Sequence, residues 1–118
     1  MPKRILIAED DPLSRKSLGA WLRDIGYEVN LASDGAAALD LLDSSPFDLV
    51  LSDIRMPRVD GIFVISHLRS LSPSTPFIIL SAYPEDADGL GRIPKSVWMS
   101  KPFVLEDLEW NIRHFLER

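Results

Sequence analysis

No cysteine occurs among the 118 residues. That absence removes disulfides, thiolate metal sites and a cysteine nucleophile, and it fits a reducing compartment. Long apolar runs are missing too. The start, Met1 to Arg4, leads into only four apolar residues, Ile5 to Ala8, too few for a signal-peptide core or a membrane span, so a cytoplasmic protein without membrane contact is expected. Positive charge is in deficit, with 13 Lys and Arg against 18 Asp and Glu and a net charge of -5. Such a balance repels a nucleic-acid backbone, so no direct nucleic-acid contact is expected. Repeats, low-complexity tracts and long linkers are also lacking. What remains is ordinary for one soluble domain spanning 1–118: 46% apolar and 26% charged residues.

Short apolar runs alternate with helical patterns, the signature of βαβ units and a parallel sheet. Arg4–Ala8, Leu49–Ser52 and Phe77–Leu80 are apolar without alternation, as strands covered on both faces should be. Glu28–Leu31 alternates and suits a sheet edge, and Val97–Met99 is a short fifth candidate. Leu18, Trp21, Leu22 and Ile25 make one helical apolar face, stopped by Gly26. Ala38, Leu39, Leu41 and Leu42 mark a second helix, and Ile62, Ile65, Leu68 and Leu71 a third. Leu105, Leu108, Ile112 and Phe115 mark the last. Between Tyr83 and Ser96 the chain holds Pro84, Gly89, Gly91 and Pro94, with little periodicity. Parallel neighbours cannot be joined by a tight turn, so a short or irregular fourth helix is expected there.

Sites in open α/β sheets form at the carboxyl ends of the strands. That rule picks out Glu9, Asp10 and Asp11 after the first strand, Asp53 after the third, Ser81 after the fourth and Lys101 after the fifth. Packed carboxylates repel one another, and a hard cation such as Mg²⁺, which prefers oxygen ligands, relieves the repulsion. A nearby lysine supplies a point charge for a phosphoryl group. A serine can hydrogen-bond a phosphoryl oxygen, and an aspartate can be the nucleophile that becomes an aspartyl phosphate. Singly, each residue has a plainer explanation. Asp11 before Pro12 can cap a helix, Asp53 can cap a turn, and Lys101 and Ser81 can be ordinary surface groups.

Together the four places form a pattern. Ile5–Leu13, with its acidic pair, resembles the first strand of response-regulator receivers of the two-component CheY-like superfamily. Asp53 followed by Met56-Pro57 and Asp60-Gly61 resembles their phosphoacceptor motif, Ser81-Ala82 the hydroxyl residue and small neighbour that end the fourth strand, and Lys101-Pro102-Phe103 the turn after the fifth. The resemblance covers essentially the whole chain. It implies a flavodoxin-like, doubly wound, five-stranded parallel sheet of order 2-1-3-4-5. It implies that Asp53 accepts a phosphoryl group from a histidine kinase or histidine phosphotransfer protein in a phosphorelay. Glu9, Asp10, Asp53 and the Arg55 backbone carbonyl would hold Mg²⁺. Lys101 and Ser81 would bind phosphoryl oxygens, and the Lys101-Pro102 bond would be cis. The chain would be a signalling switch catalysing only its own phosphorylation and dephosphorylation. Its changed surface would be read by an output domain or protein, or by a second copy.

Some positions depart from the family. The aromatic switch position, usually tyrosine or phenylalanine, falls on Trp98, which either rotates as a larger gate or packs at the sheet edge. Arg55 and Tyr83 occupy positions that flank the phosphoryl group and tune its lifetime, and their bulk points to a long-lived aspartyl phosphate. Two other readings compete. Haloacid-dehalogenase-like phosphatases also use a strand-end aspartate with Mg²⁺, but they carry a second aspartate where Arg55 stands. A phosphate-independent binding module of the same fold would not need Glu9, Asp10, Asp53, Ser81 and Lys101 together. His67 and His114 fall on helices as surface or packing residues.

Overall fold

Runs of branched aliphatic residues make the strands and capped amphipathic segments make the helices. A computed structural model describes residues 2–83 and 94–117. In chain order the elements are β1 (Arg4–Ala8), α1 (Pro12–Asp24), β2 (Glu28–Ala32), α2 (Gly35–Ser44), β3 (Leu49–Asp53), α3 (Gly61–Leu71), β4 (Phe77–Ser81), β5 (Ser96–Ser100) and α4 (Leu105–Leu116). All strand pairs are parallel, in the order β2-β1-β3-β4-β5. This is the flavodoxin-like fold expected from the sequence. The short or irregular fourth helix expected between Tyr83 and Ser96 lies largely outside the described residues, which omit 84–93, so α4 here is the last helix. Among the described residues no helix is long and apolar enough to cross a membrane.

The period of two along each strand sends neighbours to opposite faces. Leu6, Val50, Phe77 and Ile79 meet α2 and α3 through Ala38, Leu42, Val64 and Leu68. Ile5, Ile7, Leu49, Leu51, Ile78 and Leu80 meet α1 and α4 through Leu18, Leu22, Leu108 and Ile112. Each such fully buried side chain contributes on the order of 1.5–3 kcal/mol. This double cover is why the central strands read as unbroken apolar runs. The third helix departs from its expected face. Val64, Ile65 and Leu68 are buried, whereas Ile62 and Leu71 are exposed.

Each of the first three helices opens on an aspartate. The side chains of Asp11, Asp34 and Asp60 accept the backbone N–H groups of Ser14, Ala37 and Phe63 at 2.8, 2.8 and 3.1 Å. Such caps are each worth about 1 kcal/mol. They also set where these three helices begin relative to the carboxyl edge of the sheet. Helix α1 stops at Gly26, whose φ of 109° suits glycine.

Two glycines serve close approach. The N–H of Gly61 donates to the Ile54 carbonyl at 2.7 Å, and a Cβ there would stand 2.2 Å from the Asp53 carbonyl oxygen. A Cβ on Gly35 would stand 1.9 Å from the Val59 carbonyl oxygen. The loop between β3 and α3 is thus wedged main chain against main chain. Helix propensity alone favours Gly61→Ala by about 1 kcal/mol. The clash with backbone reverses the sign, and we expect a net loss of about 1–3 kcal/mol. Urea unfolding checks it, with a lowered midpoint at unchanged slope expected; an equal or raised midpoint would refute the wedge.

Candidate functional site

Three strand ends converge at the carboxyl edge. Glu9 follows β1, Asp53 ends β3 and Lys101 follows β5. Glu9 and Asp53 are 2% and 5% exposed. Lys101 Nζ lies 2.8 Å from Glu9 Oε1 and 2.7 Å from Asp53 Oδ1. Its N–H is aligned to donate to Glu9. Toward Asp53 it acts as a charge, and Asp53 Oδ1 is a buried acceptor with no aligned hydrogen bond among the described residues. The turn after β1 is fixed by Arg15, which donates to the carbonyls of Glu9 at 2.9 Å and Asp10 at 3.3 Å. The Asp11 N–H donates to Glu9 Oε2 at 3.2 Å.

The electrostatics follow from two carboxyls sharing one ammonium. Burial first, then the neighbouring Glu9 carboxylate, pushes Asp53 up to about 8 against the pull of Lys101. Burial also acts to raise Glu9, but hydrogen bonds from Asp53, Lys101 and the Asp11 N–H outweigh it, and Glu9 lies below its usual value. Burial acts to lower Lys101, yet its contacts with Asp53 and Glu9 raise it. One proton therefore sits on Asp53, between an ionised Glu9 and a charged Lys101.

Glu9, Asp10 and Asp53 each offer a carboxylate oxygen, all within 4.8 Å of one another. Asp10 is exposed, which leaves one side open to solvent. A set of hard oxygen donors, including Asp53 Oδ1 with its charge contact to Lys101 but no aligned hydrogen bond among the described residues, fits a hard divalent cation such as Mg²⁺. Among the residues expected at this site, Glu9, Asp10, Asp53 and Lys101 are brought together. Arg55 follows β3 by two residues, and the Lys101-Pro102 peptide is cis, as expected.

Ser81 ends β4 and is turned onto its own chain. Its Oγ accepts the Tyr83 N–H at 3.0 Å and donates to the Tyr83 carbonyl at 3.2 Å. Asp53, Arg55, Ser81, Tyr83 and Lys101 line a cleft of about 90 Å³. At its mouth the Arg55 guanidinium lies 3.6 Å from the centre of the Tyr83 ring. Trp98, in register with Ile79, is half-buried against the α2–α3 side of the core, away from this cluster. Its indole N–H is buried without a partner among the described residues. His67 pairs with Asp43 at 2.6 Å and His114 stacks on Trp110, both far from the carboxyl cluster in role. Arg15 and the Arg55–Tyr83 stack were not foreseen from sequence, since neither shows a local signal.

The proton on Asp53 has a consequence for stability. Its folded value of about 8 lies above the usual 3.8, so folding holds a proton that the unfolded chain has already lost. In the metal-free protein stability therefore falls as pH rises from about 4 to about 8, then levels off. Asp53→Asn removes that slope. Urea midpoints for both proteins at about pH 5 and about pH 8 test it; the same slope in both would refute the assignment.

The comparisons with known proteins agree with this geometry. The family model for the response regulator receiver domain matches residues 5–113. The response regulator MprA of Mycolicibacterium vanbaalenii is 39% identical over 120 residues, covering 100% of this chain and 52% of that protein. The chain thus spans about half the length of the curated relatives it matches. A response regulator receiver protein from Sinorhizobium medicae superposes with a TM-score of 0.90 at 28% identity, over 98% of this chain and 95% of that one. The response regulator TrrA of Thermotoga maritima, solved in complex with Mg²⁺ and BeF, gives 0.87 at 31% identity, over 97% and 99%. These relatives favour the receiver reading over the phosphatase and the phosphate-independent module. Fold, carboxyl edge and sequence relatives converge, and the chain belongs to the response regulator receiver domain family.

Proposed function

We propose that the chain is a single receiver domain over 1–118 that takes a phosphoryl group on Asp53 and works in the cytoplasm as a two-component switch. The observation that carries this reading is the Asp53 carboxyl, buried yet facing a cleft, with Lys101 Nζ at 2.7 Å and the oxygens of Glu9 and Asp10 beside it. The donor is a histidine kinase or histidine phosphotransfer protein. A groove of about 520 Å³ between α1 and the turn after β5, lined by Leu18, Trp21, Phe103 and Leu105, adjoins Glu9 and Lys101 and gives such a donor a surface. In the transfer, an Asp53 oxygen bonds to phosphorus as the bond from phosphorus to the donor imidazole nitrogen breaks, and the imidazole leaves with the electron pair.

Glu9, Asp10, Asp53 and the Arg55 carbonyl would hold Mg²⁺, as the bound ion in the Thermotoga relative suggests. When bound, Mg²⁺ supplies positive charge that favours the ionised Asp53 and balances the phosphoryl oxygens. Lys101 is already placed to take a second oxygen. Ser81 reaches a third only by giving up its bonds to Tyr83. Trp98 already packs on the core, so it serves as a fixed edge residue unless that packing is released. The downstream reader is an output domain or protein, or a second copy of the chain.

Incubation with Mg²⁺ and acetyl phosphate, followed by intact mass, tests the reading. One added phosphoryl group is expected, absent in Asp53→Asn and absent when Mg²⁺ is chelated. No gain under any donor would defeat it. The cleft also bears on lifetime, because Arg55 and Tyr83 line it beside Asp53 and their bulk would hinder a hydrolytic water there. Arg55→Ala should speed loss of the phosphoryl group about threefold to tenfold, equivalent to roughly 1 kcal/mol of barrier. The decay of the phosphorylated mass after donor removal measures it, and an unchanged rate would rule out shielding by that side chain.

A further inference from the structure

We propose that Arg15 is a positioning residue for the metal ligands. It braces the main chain at Glu9 and Asp10 so that the Asp10 carboxylate stays in reach of a cation, although its own charge opposes that cation. The inference rests on Glu9, Asp10 and Asp53 being the Mg²⁺ ligands. One nitrogen, Arg15 Nη1, donates to two successive carbonyls, that of Glu9 at 2.9 Å and that of Asp10 at 3.3 Å. Its bonds among the described residues go to main-chain oxygens, not to the carboxylates. Two carbonyls converging on one donor fix the two peptide planes that meet at the Asp10 Cα, and with them the direction of its Cβ.

The three ligands are not held alike. Lys101 steadies Glu9 and Asp53 through their carboxyls, at 2.8 and 2.7 Å, and both acids are buried. The Asp11 N–H adds a bond to Glu9 Oε2 at 3.2 Å. Asp10 is exposed, and what reaches it among the described residues is the Arg15 guanidinium on its carbonyl. Arg15 is itself well anchored. Its N–H donates to the Asp11 carbonyl at 2.9 Å, and the Asp11 side chain caps α1 through the Ser14 N–H. At the other end the Glu9 N–H donates to the Ala32 carbonyl at 3.1 Å. The turn is thus tied to β2 at its start, to α1 at its finish, and across its middle by Arg15.

A guanidinium placed there acts on a cation in two opposing ways. As a charge it repels the ion. Arg15 is only half-buried, and Asp10 leaves this side of the site open to solvent, so that repulsion is strongly screened. As a brace it spares the ion the entropy of ordering a loose segment of main chain. Groups that orient metal ligands from behind are worth roughly 10–100-fold in affinity. The brace therefore outweighs the charge, and removing a cation from beside this cation site weakens binding.

The sign of one substitution decides the matter. Mg²⁺ titration of the unphosphorylated protein, followed by the amide resonances of Glu9, Asp10, Asp11 and Asp53, gives Kd with no phosphodonor present. Arg15→Gln, which removes the charge and shortens the side chain, should weaken binding about tenfold. Arg15→Lys, which keeps the charge and a donor, should fall between that variant and the parent. In metal-free Arg15→Gln protein the backbone order parameters of Asp10 and Asp11 should drop, while those of β3 and β4 stay as they are. Equal or tighter Mg²⁺ binding by Arg15→Gln overturns the brace and leaves the ligand assignment standing. Weaker binding accompanied by loosening of β3 and β4 also overturns it, because that is a general structural defect. Absence of a saturable Mg²⁺ response in the parent protein brings down the ligand assignment and the brace together.

Discussion

One ammonium ties three strand ends together. Lys101 Nζ reaches Glu9 after β1 and Asp53 at the end of β3, a contact across 92 residues of sequence in the first case. Removing two carboxylates from water would be prohibitive without such a partner. With only one positive charge for two acids, the balance is met by keeping a proton on Asp53. The site is therefore built one charge short. A cation beside Glu9, Asp10 and Asp53 would supply what is missing and favour the ionised form of Asp53.

That deficit is legible in the sequence because topology does the work. Glu9, Asp53, Ser81 and Lys101 each follow an apolar run, and in a parallel sheet all runs end at one edge. The aspartates that open α1, α2 and α3 are legible for a similar reason, since capping is a local matter of a few residues. The face of α3 was less so. Ile62, Ile65, Leu68 and Leu71 are spaced by threes, and each such step turns about 60° short of a full circle. The ends of that series cannot share a face with its middle, which is why Ile62 and Leu71 stand in solvent while Val64 joins the core.

Other features have no local signature. Arg55 and Tyr83 lie on the ends of different strands, and only the pairing of β3 with β4 brings guanidinium and ring together. Arg15 reaches back from α1 to two carbonyls of the preceding turn, a role that any arginine on that helix could seem to fill equally. Trp98 was readable as a position but not as a state. Its packing against the α2–α3 side of the core is a matter of tertiary contacts that no local pattern records.

The wedge of Gly35 and Gly61 against the loop between them bears on how such a domain can change. The segment after Asp53 is located by main-chain contacts at Gly35 and Gly61 together with the packing of Ile54, Met56 and Val59 in the core. The exposed Arg55 and Arg58 side chains sit on this frame rather than in the core. Exchange of an exposed side chain on this loop leaves the main-chain frame in place, whereas a Cβ at either glycine meets backbone oxygen and moves it.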